Sequence, residues 1–179
     1  MKILITGSAG FIGFNFSKFL LEKTNFTIIG IDNLNDYYSI NVKTKRLKLL
    51  KKYKKFSFIK TNIADKKKIN LIFKKKFDVV YNFAAQAGVR YSLENPRSYI
   101  ENNILGFYNI IEASINHKVQ KLFYASSSSV YGDSKKFPLK ETNSLSPKNI
   151  YATSKVINEI TAKSFAKHYN IKTYGLRFF

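Results

Sequence analysis

The stretch Lys2-Ile3-Leu4-Ile5-Thr6-Gly7-Ser8-Ala9-Gly10-Phe11-Ile12-Gly13 decides the fold of this chain, because a short apolar run leads directly into three glycines spaced three apart. This order predicts a strand, a tight turn and the start of a helix. Gly7 allows the turn, Gly10 lets a phosphate approach bare backbone, and Gly13 lets the helix pack against the strand. The unpaired N–H groups at a helix N-terminus carry a partial positive charge. The stretch therefore predicts a binding site for a dinucleotide pyrophosphate.

An acidic residue follows at the distance expected for a ribose contact. Asp32 closes the next apolar run, residues 26–31, about twenty residues beyond Gly13. A carboxylate at this place can accept hydrogen bonds from both hydroxyls of an adenosine ribose, and it repels a 2′-phosphate. A glycine-rich turn without a ligand is the alternative for the three glycines alone, and Asp32 argues against it. The sequence therefore predicts NAD rather than NADP as the cofactor.

The composition narrows the class of protein. The 179 residues are 45% hydrophobic, which is enough for one sizeable core, so we expect one folded unit over residues 1–179. Cysteine is absent, and His117 and His168 lie too far apart to suggest a metal cage, so no metal site is predicted and both are expected on surface helices. There is no signal-peptide pattern and no run of ~20 apolar residues. We expect a cytoplasmic protein that does not associate with membranes.

The charge is strongly positive, since 31 Lys and Arg against 11 Asp and Glu give +20, with lysine runs at 66–68 and 74–76. Such a balance raises the question of a nucleic-acid partner. The lysines, however, fall where solvated helix faces are expected, and the aromatic residues are scattered through apolar runs. We therefore expect no specific binding of nucleic acid.

Strand and helix patterns alternate along the whole chain. Apolar residues at helical spacing predict helices over 11–23, 42–53, 97–116 and 149–169, and a shorter one that ends at Phe73. The helix over 42–53 is expected to bury Val42, Leu47, Leu49 and Leu50. Short apolar runs predict strands over 2–6, 26–32, 56–59, 78–83, 121–126 and 172–179. This alternation predicts an α/β fold with a doubly wound parallel sheet of the Rossmann type, at least six strands, and a ligand at the C-terminal ends of the strands.

Two further motifs carry reactive groups. Tyr151-Ala152-Thr153-Ser154-Lys155 places a phenol and an ammonium four residues apart on one helix face. A tyrosine has an ordinary pKa of ~10, and a nearby lysine and a positively charged nicotinamide both favour its phenolate, which is a usable base near neutral pH. A cluster of four serines, residues 126–129, ends a predicted strand, where this fold keeps its reactive groups. A solvated helix face is the alternative for the tyrosine–lysine pair in isolation.

Together these motifs resemble the extended short-chain dehydrogenase/reductase superfamily, in its NAD-dependent epimerase/dehydratase branch. The resemblance lies in Thr6-Gly7-Ser8-Ala9-Gly10-Phe11-Ile12-Gly13, Ser126-Ser127-Ser128-Ser129-Val130-Tyr131-Gly132 and Tyr151-Ala152-Thr153-Ser154-Lys155. Residues 32–38, the basic helix after them, residues 84–96 and residues 176–179 further resemble the UDP-glucuronate 4-epimerases. The resemblance covers the whole chain. It implies interconversion of UDP-glucuronate and UDP-galacturonate through a 4-keto intermediate, with no net consumption of NAD.

The resemblance also implies a role for individual residues. Ser127 would bond the sugar O4, Tyr151 would take the O4 proton while C4 gives hydride to NAD, and Lys155 would bond the nicotinamide ribose and tune Tyr151. Ser128, Arg90 and Phe178 would contact the UDP-sugar, with a structural salt bridge as the alternative for Arg90. The implied cofactor contacts are Gly7, Gly10, Phe11, Ile12, Gly13, Asp32, Asn33, Asn62, Ile63, Ala84, Ala85, Gln86, Asn103, Tyr151 and Lys155.

The chain departs from the family pattern in two respects. The family carries an aspartate where Asn62 stands, which implies a weaker hold on adenine, although an amide can still bond the ring. It also continues past Phe179 into a lobe that binds the nucleotide sugar, so residues 1–179 alone are expected to bind NAD weakly without turnover, and to form a homodimer or associate with that lobe.

A dehydratase or decarboxylase would need a carboxylic acid where Ser128 and Ser129 stand. A UDP-glucose 4-epimerase, with the same catalytic trio, and an inactive NAD-binding fragment or interaction module remain open.

Overall fold

Parallel strands form one six-stranded sheet in the computed structural model, which describes residues 1–134 and 137–179. The strands are β1 Lys2–Thr6, β2 Thr27–Asp32, β3 Phe56–Lys60, β4 Val79–Asn82, β5 Lys121–Ser127 and β6 Lys172–Phe178. Their order is β3-β2-β1-β4-β5-β6, and every neighbouring pair is parallel. The predicted doubly wound parallel sheet of at least six strands is therefore confirmed.

Helices cover the sheet and connect its strands. They are α1 Phe11–Lys23, α2 Ile40–Leu50, α3 Lys66–Phe73, α4 Tyr91–Glu94, α5 Pro96–Tyr99, α6 Gly106–Asn116 and α7 Ile150–His168. A π-helical segment, Ile100–Leu105, joins α5 to α6, and a 3₁₀ turn, Ser128–Tyr131, follows β5. No helix in these described residues has the length and apolar composition needed to cross a membrane.

Two apolar clusters lie on opposite faces of the sheet. Ile3 and Ile5 belong to the cluster that includes Leu20 of α1 and Leu47 of α2. Leu4, between them in the sequence, belongs to the cluster that includes residues of α3 and α6. Strands of a parallel sheet are buried on both faces, which explains why β1 is an unbroken apolar run rather than an alternating one.

The helix predicted over 97–116 is divided in the structure. The short helix α5 gives way to the π-helical segment before α6 begins at Gly106. Ile100 and Leu105 are 46% and 49% exposed, whereas Asn103 is 1% exposed. The wider π-helical turn therefore directs an amide, rather than these apolar side chains, into the interior. π-helical turns occur often at functional sites, and this one positions the side-chain amide of Asn103 in the interior.

The inward face of α2 also differs from the prediction. Leu47 and Leu50 are buried as expected, but Val42 and Leu49 are 40% and 46% exposed. The third buried residue of the helix is Lys43. Spacings of four and three place Lys43, Leu47 and Leu50 on one helical face, and the lysine is accommodated because its ammonium finds hydrogen-bond acceptors at the edge of the sheet.

The strand order determines where a ligand can bind. The chain leaves β1 toward β2 and β3 on one side, and returns to β4 on the other side. The two crossovers therefore part above the C-terminal ends of β1 and β4. In open parallel sheets this reversal opens the crevice that holds the ligand.

Candidate active site

The turn after β1 is built around glycines that tolerate no side chain. Gly7 has a φ of +69°, and a Cβ on it would lie 2.8 Å from the Ala84 nitrogen. A Cβ on Gly13 would lie 2.2 Å from the Gly7 carbonyl oxygen. Among the described residues, no side chain caps α1 at Gly10. No described side chain therefore occupies the first N–H groups of α1, and a helix N-terminus of this kind favours an anionic ligand.

A cleft of about 310 Å³ opens at the C-terminal ends of the strands. This volume lies at the lower end of the range for ligand pockets, ~300–1,000 Å³. Most of the predicted cofactor contacts line it, namely Gly7, Gly10, Phe11, Ile12, Gly13, Asp32, Asn33, Asn62, Ile63, Ala84, Ala85 and Gln86. The structure therefore brings the end of β2 and the segments that directly follow β1, β3 and β4 to one concave surface.

Asp32 is buried at the edge of this cleft and holds two turns together. Its Oδ2 accepts a hydrogen bond of 3.2 Å from the Ala9 nitrogen, and its Oδ1 accepts one of 2.8 Å from the Leu34 nitrogen. Each carboxylate oxygen can accept a second bond, so both remain able to meet ribose hydroxyls. Asn62, beside it, accepts a bond of 2.9 Å from the Ala64 nitrogen through Oδ1, which leaves its amide N–H groups for a base.

Just after Asp32 lies a group of cleft residues that the sequence did not predict as contacts. Residues 33–39, which we call the strap, contribute Asn35, Tyr37 and Tyr38 to the lining. The Lys43 ammonium holds the strap against α2, since it donates hydrogen bonds of 2.7 Å to the backbone carbonyl oxygen of Asn35 and 2.6 Å to the Oδ1 of the same residue. Burial lowers the pKa of Lys43, while the negative charge of Asp32 opposes that shift. Lys43 sits within a run of basic residues, so nothing in the sequence distinguished it.

The strap touches both sides of the cleft. On one side, the Tyr38 hydroxyl donates a bond of 3.4 Å to the Ala9 carbonyl oxygen in the glycine-rich turn. On the other side, the Tyr37 ring lies 5.1 Å from the Tyr91 ring, between centroids. Because Tyr91 begins α4, the strap links the glycine-rich turn to the segment that follows β4.

Asn103 connects the cofactor side of the site to the helix of the reactive residues. Its Oδ1 accepts a bond of 2.7 Å from the Gln86 nitrogen, and its Nδ2 donates bonds of 3.0 Å to the Gln86 carbonyl oxygen and 3.1 Å to the Ser154 Oγ. Ser154 in turn donates a bond of 2.6 Å to the Tyr151 carbonyl oxygen. Asn103 is thus placed behind the cleft wall, where it sets the spacing between Gln86 and α7.

Tyr151 and Lys155 lie on the first turns of α7, which Asn149 caps by accepting a bond of 2.9 Å from the Ala152 nitrogen. The Lys155 ammonium lies 5.8 Å from the centroid of the Tyr151 ring and donates a bond of 2.8 Å to the Ala125 carbonyl oxygen. Burial lowers the pKa of Lys155 to about 8, so the group is still charged at neutral pH. The predicted pair therefore faces the end of β5.

Ser127 is the last residue of β5 and is 7% exposed. Its Oγ donates a bond of 3.1 Å to the Ser129 Oγ and accepts one of 3.2 Å from the Ser129 nitrogen. Ser128, half-buried, begins the 3₁₀ turn. The serine cluster is thus a capped turn at the end of a strand, next to the carbonyl that Lys155 holds.

A second phenol lies beside Tyr151 without competing as a base. The rings of Tyr99 and Tyr151 meet edge to face with centroids 6.1 Å apart. The Tyr99 hydroxyl points to the carbonyl oxygens of Ala87, at 2.8 Å, and Gly88, at 2.5 Å. Burial raises the pKa of Tyr99 to about 12. Tyr99 therefore stays protonated and anchors the segment after β4.

The predicted substrate contacts are the most dispersed part of the site. Phe178, at the end of β6, is 36% exposed, and its ring lies 6.2 Å from that of Phe83. Arg90 is exposed just before α4. Within residues 1–134 and 137–179, Arg90 forms no ion pair, so the salt-bridge alternative is not seen there.

The histidines lie away from these residues. His168 is exposed in the last turn of α7, and His117, half-buried at the end of α6, has its ring 6.0 Å from that of Phe73. Across the described part of the chain, no group of three or more His, Cys, Asp or Glu side chains is arranged to hold a metal ion.

The glycine-rich cleft and the Ser–Tyr–Lys group define the chain as a Rossmann-type protein of the short-chain dehydrogenase/reductase class. Residues 4–179 match the family model described as GDP-mannose 4,6 dehydratase, and the chain belongs to this family. The resemblance drawn from the motifs, to the NAD-dependent epimerase/dehydratase branch, is therefore confirmed.

Comparison with individual proteins points to 4-epimerases within that family. The chain is 46% identical over 181 residues to Protein CapI of Staphylococcus aureus, covering 100% of this chain and 54% of the relative. It is 40% identical over 183 residues to UDP-glucuronate 4-epimerase 4 of Arabidopsis thaliana, covering 100% and 41%. The crystal structure of UDP-glucuronic acid 4-epimerase from Bacillus cereus, in complex with UDP-glucuronic acid and NAD, superimposes with a TM-score of 0.92 at 32% identity, covering 99% and 56%. The chain thus spans about half the length of the proteins it matches.

Proposed function

We propose that residues 1–179 form the NAD-binding domain of a UDP-sugar 4-epimerase that interconverts UDP-glucuronate and UDP-galacturonate. The observation that carries the proposal is the placement of a buried, charged Lys155 beside Tyr151, at the end of the strand that carries Ser127, in a fold whose glycine-rich turn lines a cleft at the same end of the sheet. The relatives named as UDP-glucuronate 4-epimerases support the choice of substrate.

The cleft residues fit the cofactor. The close approach of Gly7 and Gly13 leaves room for a pyrophosphate that a Cβ-bearing turn would exclude. Asp32 can accept the ribose hydroxyls, and Gln86 and Ala85 line the cleft at the end of β4. Bound NAD would supply reversible acceptance of a hydride from C4 of the sugar.

The chain's own residues would handle the proton at the sugar O4. The Tyr151 oxygen takes that proton, and the positive charge of Lys155, buried where water does not screen it, stabilises the negative charge on the tyrosine oxygen. Ser127 holds O4 by a hydrogen bond as the C4–O4 bond becomes a carbonyl. The same tyrosine would return the proton to O4 once the 4-keto sugar has turned its other face toward the hydride, so that C4 is regained with inverted configuration.

The side chains around Ser127 favour epimerisation over elimination of water. A dehydratase needs a carboxylic acid beside the serine, but hydroxyls stand at positions 128 and 129. Glu159, in the same part of the structure, is held by Arg177 and Ser126. A site without a free acid can oxidise and reduce C4 but has no group to expel a neighbouring hydroxyl.

The substrate carboxylate requires a cation, and Arg90 is the group we assign to it. Arg90 is exposed beside the strap and forms no ion pair with any residue the structure describes. UDP-sugars with an uncharged hexose, such as UDP-glucose, carry no carboxylate at this place. The assignment predicts that Arg90→Ala weakens use of UDP-glucuronate more than use of UDP-glucose.

A product assay tests the proposed function. The full-length gene product is incubated with NAD and, separately, UDP-glucuronate, UDP-glucose and UDP-N-acetylglucosamine, and the 4-epimers are separated by chromatography. We expect UDP-galacturonate to form with the highest kcat/KM. Preferential conversion of a neutral sugar would overturn the substrate assignment, and conversion of none of the three would overturn the proposed activity.

A further inference from the structure

An ion pair behind the reactive residues joins α7 to the sheet. Arg177 of β6 and Glu159 of α7 meet in a two-pronged contact, with Nε to Oε1 at 2.9 Å and Nη2 to Oε2 at 2.7 Å. Both side chains are only 16% exposed. Paired bonds between a guanidinium and a carboxylate define orientation as well as distance, so this contact constrains how α7 sits on the sheet.

The pair reaches the serine cluster from both sides. The Ser126 Oγ donates a bond of 2.5 Å to the Glu159 Oε1, and Ser126 directly precedes Ser127. Arg177 Nη1 donates a bond of 2.8 Å to the hydroxyl of Tyr131, the last residue of the 3₁₀ turn, and the guanidinium lies 4.8 Å from the centre of that ring. The turn that follows Ser127 is therefore held at both of its ends.

The spacing on α7 brings this pair into line with the reactive residues. Tyr151, Lys155 and Glu159 are spaced four residues apart along α7, so they share one helix face. Lys155 bonds the carbonyl of Ala125, and Glu159 bonds the side chain of Ser126. Two consecutive turns of α7 are thus attached to two consecutive residues of β5, immediately before Ser127.

Both partners stay charged where the enzyme works. The hydrogen bonding that Arg177 donates to Glu159 is the main reason that the pKa of Arg177 is raised. For Glu159, burial raises the pKa, but hydrogen bonds from Arg177 and Ser126 together with the arginine's charge outweigh burial and leave the pKa lowered. The contact is therefore an ion pair rather than a neutral bond at every pH near 7.

We propose that Arg177 and Glu159 are positioning residues that set the separation between Ser127 on β5 and Tyr151 on α7. The expected effect on turnover rests on the proposed function, whereas the role of the pair in holding α7 against β5 does not. Stability alone does not require such a pair, since buried ion pairs can be replaced by apolar residues of similar size without loss of stability. What an apolar pair cannot supply is the directed contact with Ser126 and Tyr131.

The double variant Glu159→Met/Arg177→Met tests the proposal without leaving a buried charge unpaired. Its control is Lys66→Met/Glu112→Met, which removes the ion pair between α3 and α6, 2.9 Å long, away from the serine cluster. In the full-length gene product we expect the first double variant to bind NAD normally and to keep its KM, while kcat falls about 10–100-fold, since a misplacement near 1 Å can cost 10²-fold. The control is expected to keep its kcat.

A second readout does not depend on turnover. NMR of ¹⁵N-labelled lysine side chains, assigned with Lys155→Met, reports the pKa of Lys155, which we expect to rise from about 8 toward its ordinary value in Glu159→Met/Arg177→Met as α7 loosens and water enters. A folded double variant with unchanged kcat would overturn the proposal. If the wild type itself has no activity, the proposed function fails, and an unchanged Lys155 pKa in the variant would then overturn the positioning role separately.

Discussion

The Lys155 ammonium donates a hydrogen bond of 2.8 Å to the Ala125 carbonyl oxygen, and burial lowers its pKa to about 8. This bond attaches α7 to the strand that ends in Ser127. It also places a positive charge in the interior with a carbonyl dipole as its hydrogen-bond acceptor. A group held in this way costs stability while it is charged, and that cost can be measured.

Lys155→Met should stabilise the fold at pH 7. The pKa of Lys155 in the folded state lies below its ordinary 10.5, so between pH 8 and 10.5 the unfolded chain binds more protons and stability rises with pH. Below pH 8 the cost of the buried charge is present in full. We expect the variant to exceed the wild type by up to about 3 kcal/mol at pH 7, with the difference closing as pH approaches 10.5.

Urea unfolding at pH 7, 8, 9 and 10 measures this difference. Lys163→Met, which changes an exposed lysine of the same helix, is the control and should show no comparable gain. A gain for Lys155→Met that stays constant with pH would contradict the assignment of the cost to a buried charge.

Tyr151→Phe should abolish turnover while leaving the cofactor site intact. The phenyl ring keeps the edge-to-face packing on Tyr99 but lacks the oxygen that accepts the O4 proton in the proposed function. Loss of a general base costs about 10²–10⁴ in rate. Steady-state kinetics of the full-length gene product measure the loss, and calorimetry checks that NAD affinity changes less than twofold. Tyr53→Phe, far from the site, serves as the control, and near-normal epimerisation by Tyr151→Phe would show that another group is the base.

Asp32→Asn should reduce the preference for NAD over NADP. Asparagine keeps the size of the side chain but removes the charge that repels a 2′-phosphate, while the buried Lys43 remains at the same edge of the cleft. We expect the ratio of the two dissociation constants to shift by at least about tenfold, equivalent to ~1.4 kcal/mol. Calorimetric titration with both cofactors measures the ratio. Asp36→Asn removes an exposed charge from the strap and should leave the ratio of the two dissociation constants unchanged. An equal shift in the two variants would mean that Asp32 does not discriminate between the two cofactors at the ribose.

Tyr37→Ala should speed the release of NAD. The Tyr37 ring packs on Tyr91 across the cleft, and its hydroxyl lies so close to Gly88 that a Cβ there would be 2.2 Å away. Removing the ring opens the strap on that side, so we expect the dissociation rate to rise about tenfold or more. Tyr37→Phe keeps the ring contact and should behave like the wild type. Stopped-flow displacement of a fluorescent NAD analogue measures both rates, and equal rates for all three proteins would show that the strap does not retain the cofactor.

Local patterns accounted for the architecture and for the cleft. The apolar run and the glycines between Lys2 and Gly13 predict β1, the turn and α1, because strand burial and the absence of Cβ atoms are properties of consecutive residues. The alternation that follows predicts a parallel sheet, since parallel strands need crossover helices. Asp32 and the Tyr151–Lys155 pair could also be found from the sequence, because each stands at a characteristic distance from a recognisable element.

Several functional features depended on residues far apart in the sequence. The π-helical turn that buries Asn103 is stabilised by bonds to Gln86 and Ser154, which no local pattern contains. Lys43 resembles its basic neighbours until the strap folds over it. For the same reason, α2 could be located from the sequence, but its buried face, which includes Lys43 in place of Val42, could not.

The sequence by itself determined the alternation of strands and helices and the glycine turn, and it pointed to the candidate ribose acid and the candidate reactive side chains, because each follows from a local pattern of residues. Only the tertiary structure decided which charges are buried and what they hold. Arg177 and Glu159 are 18 residues apart in the sequence, and Glu159 and Ser126 are 33 apart, yet they meet within hydrogen-bond distance. Such contacts form only when β5, β6 and α7 pack together, because the energy of a buried polar group depends on the partners that packing brings to it.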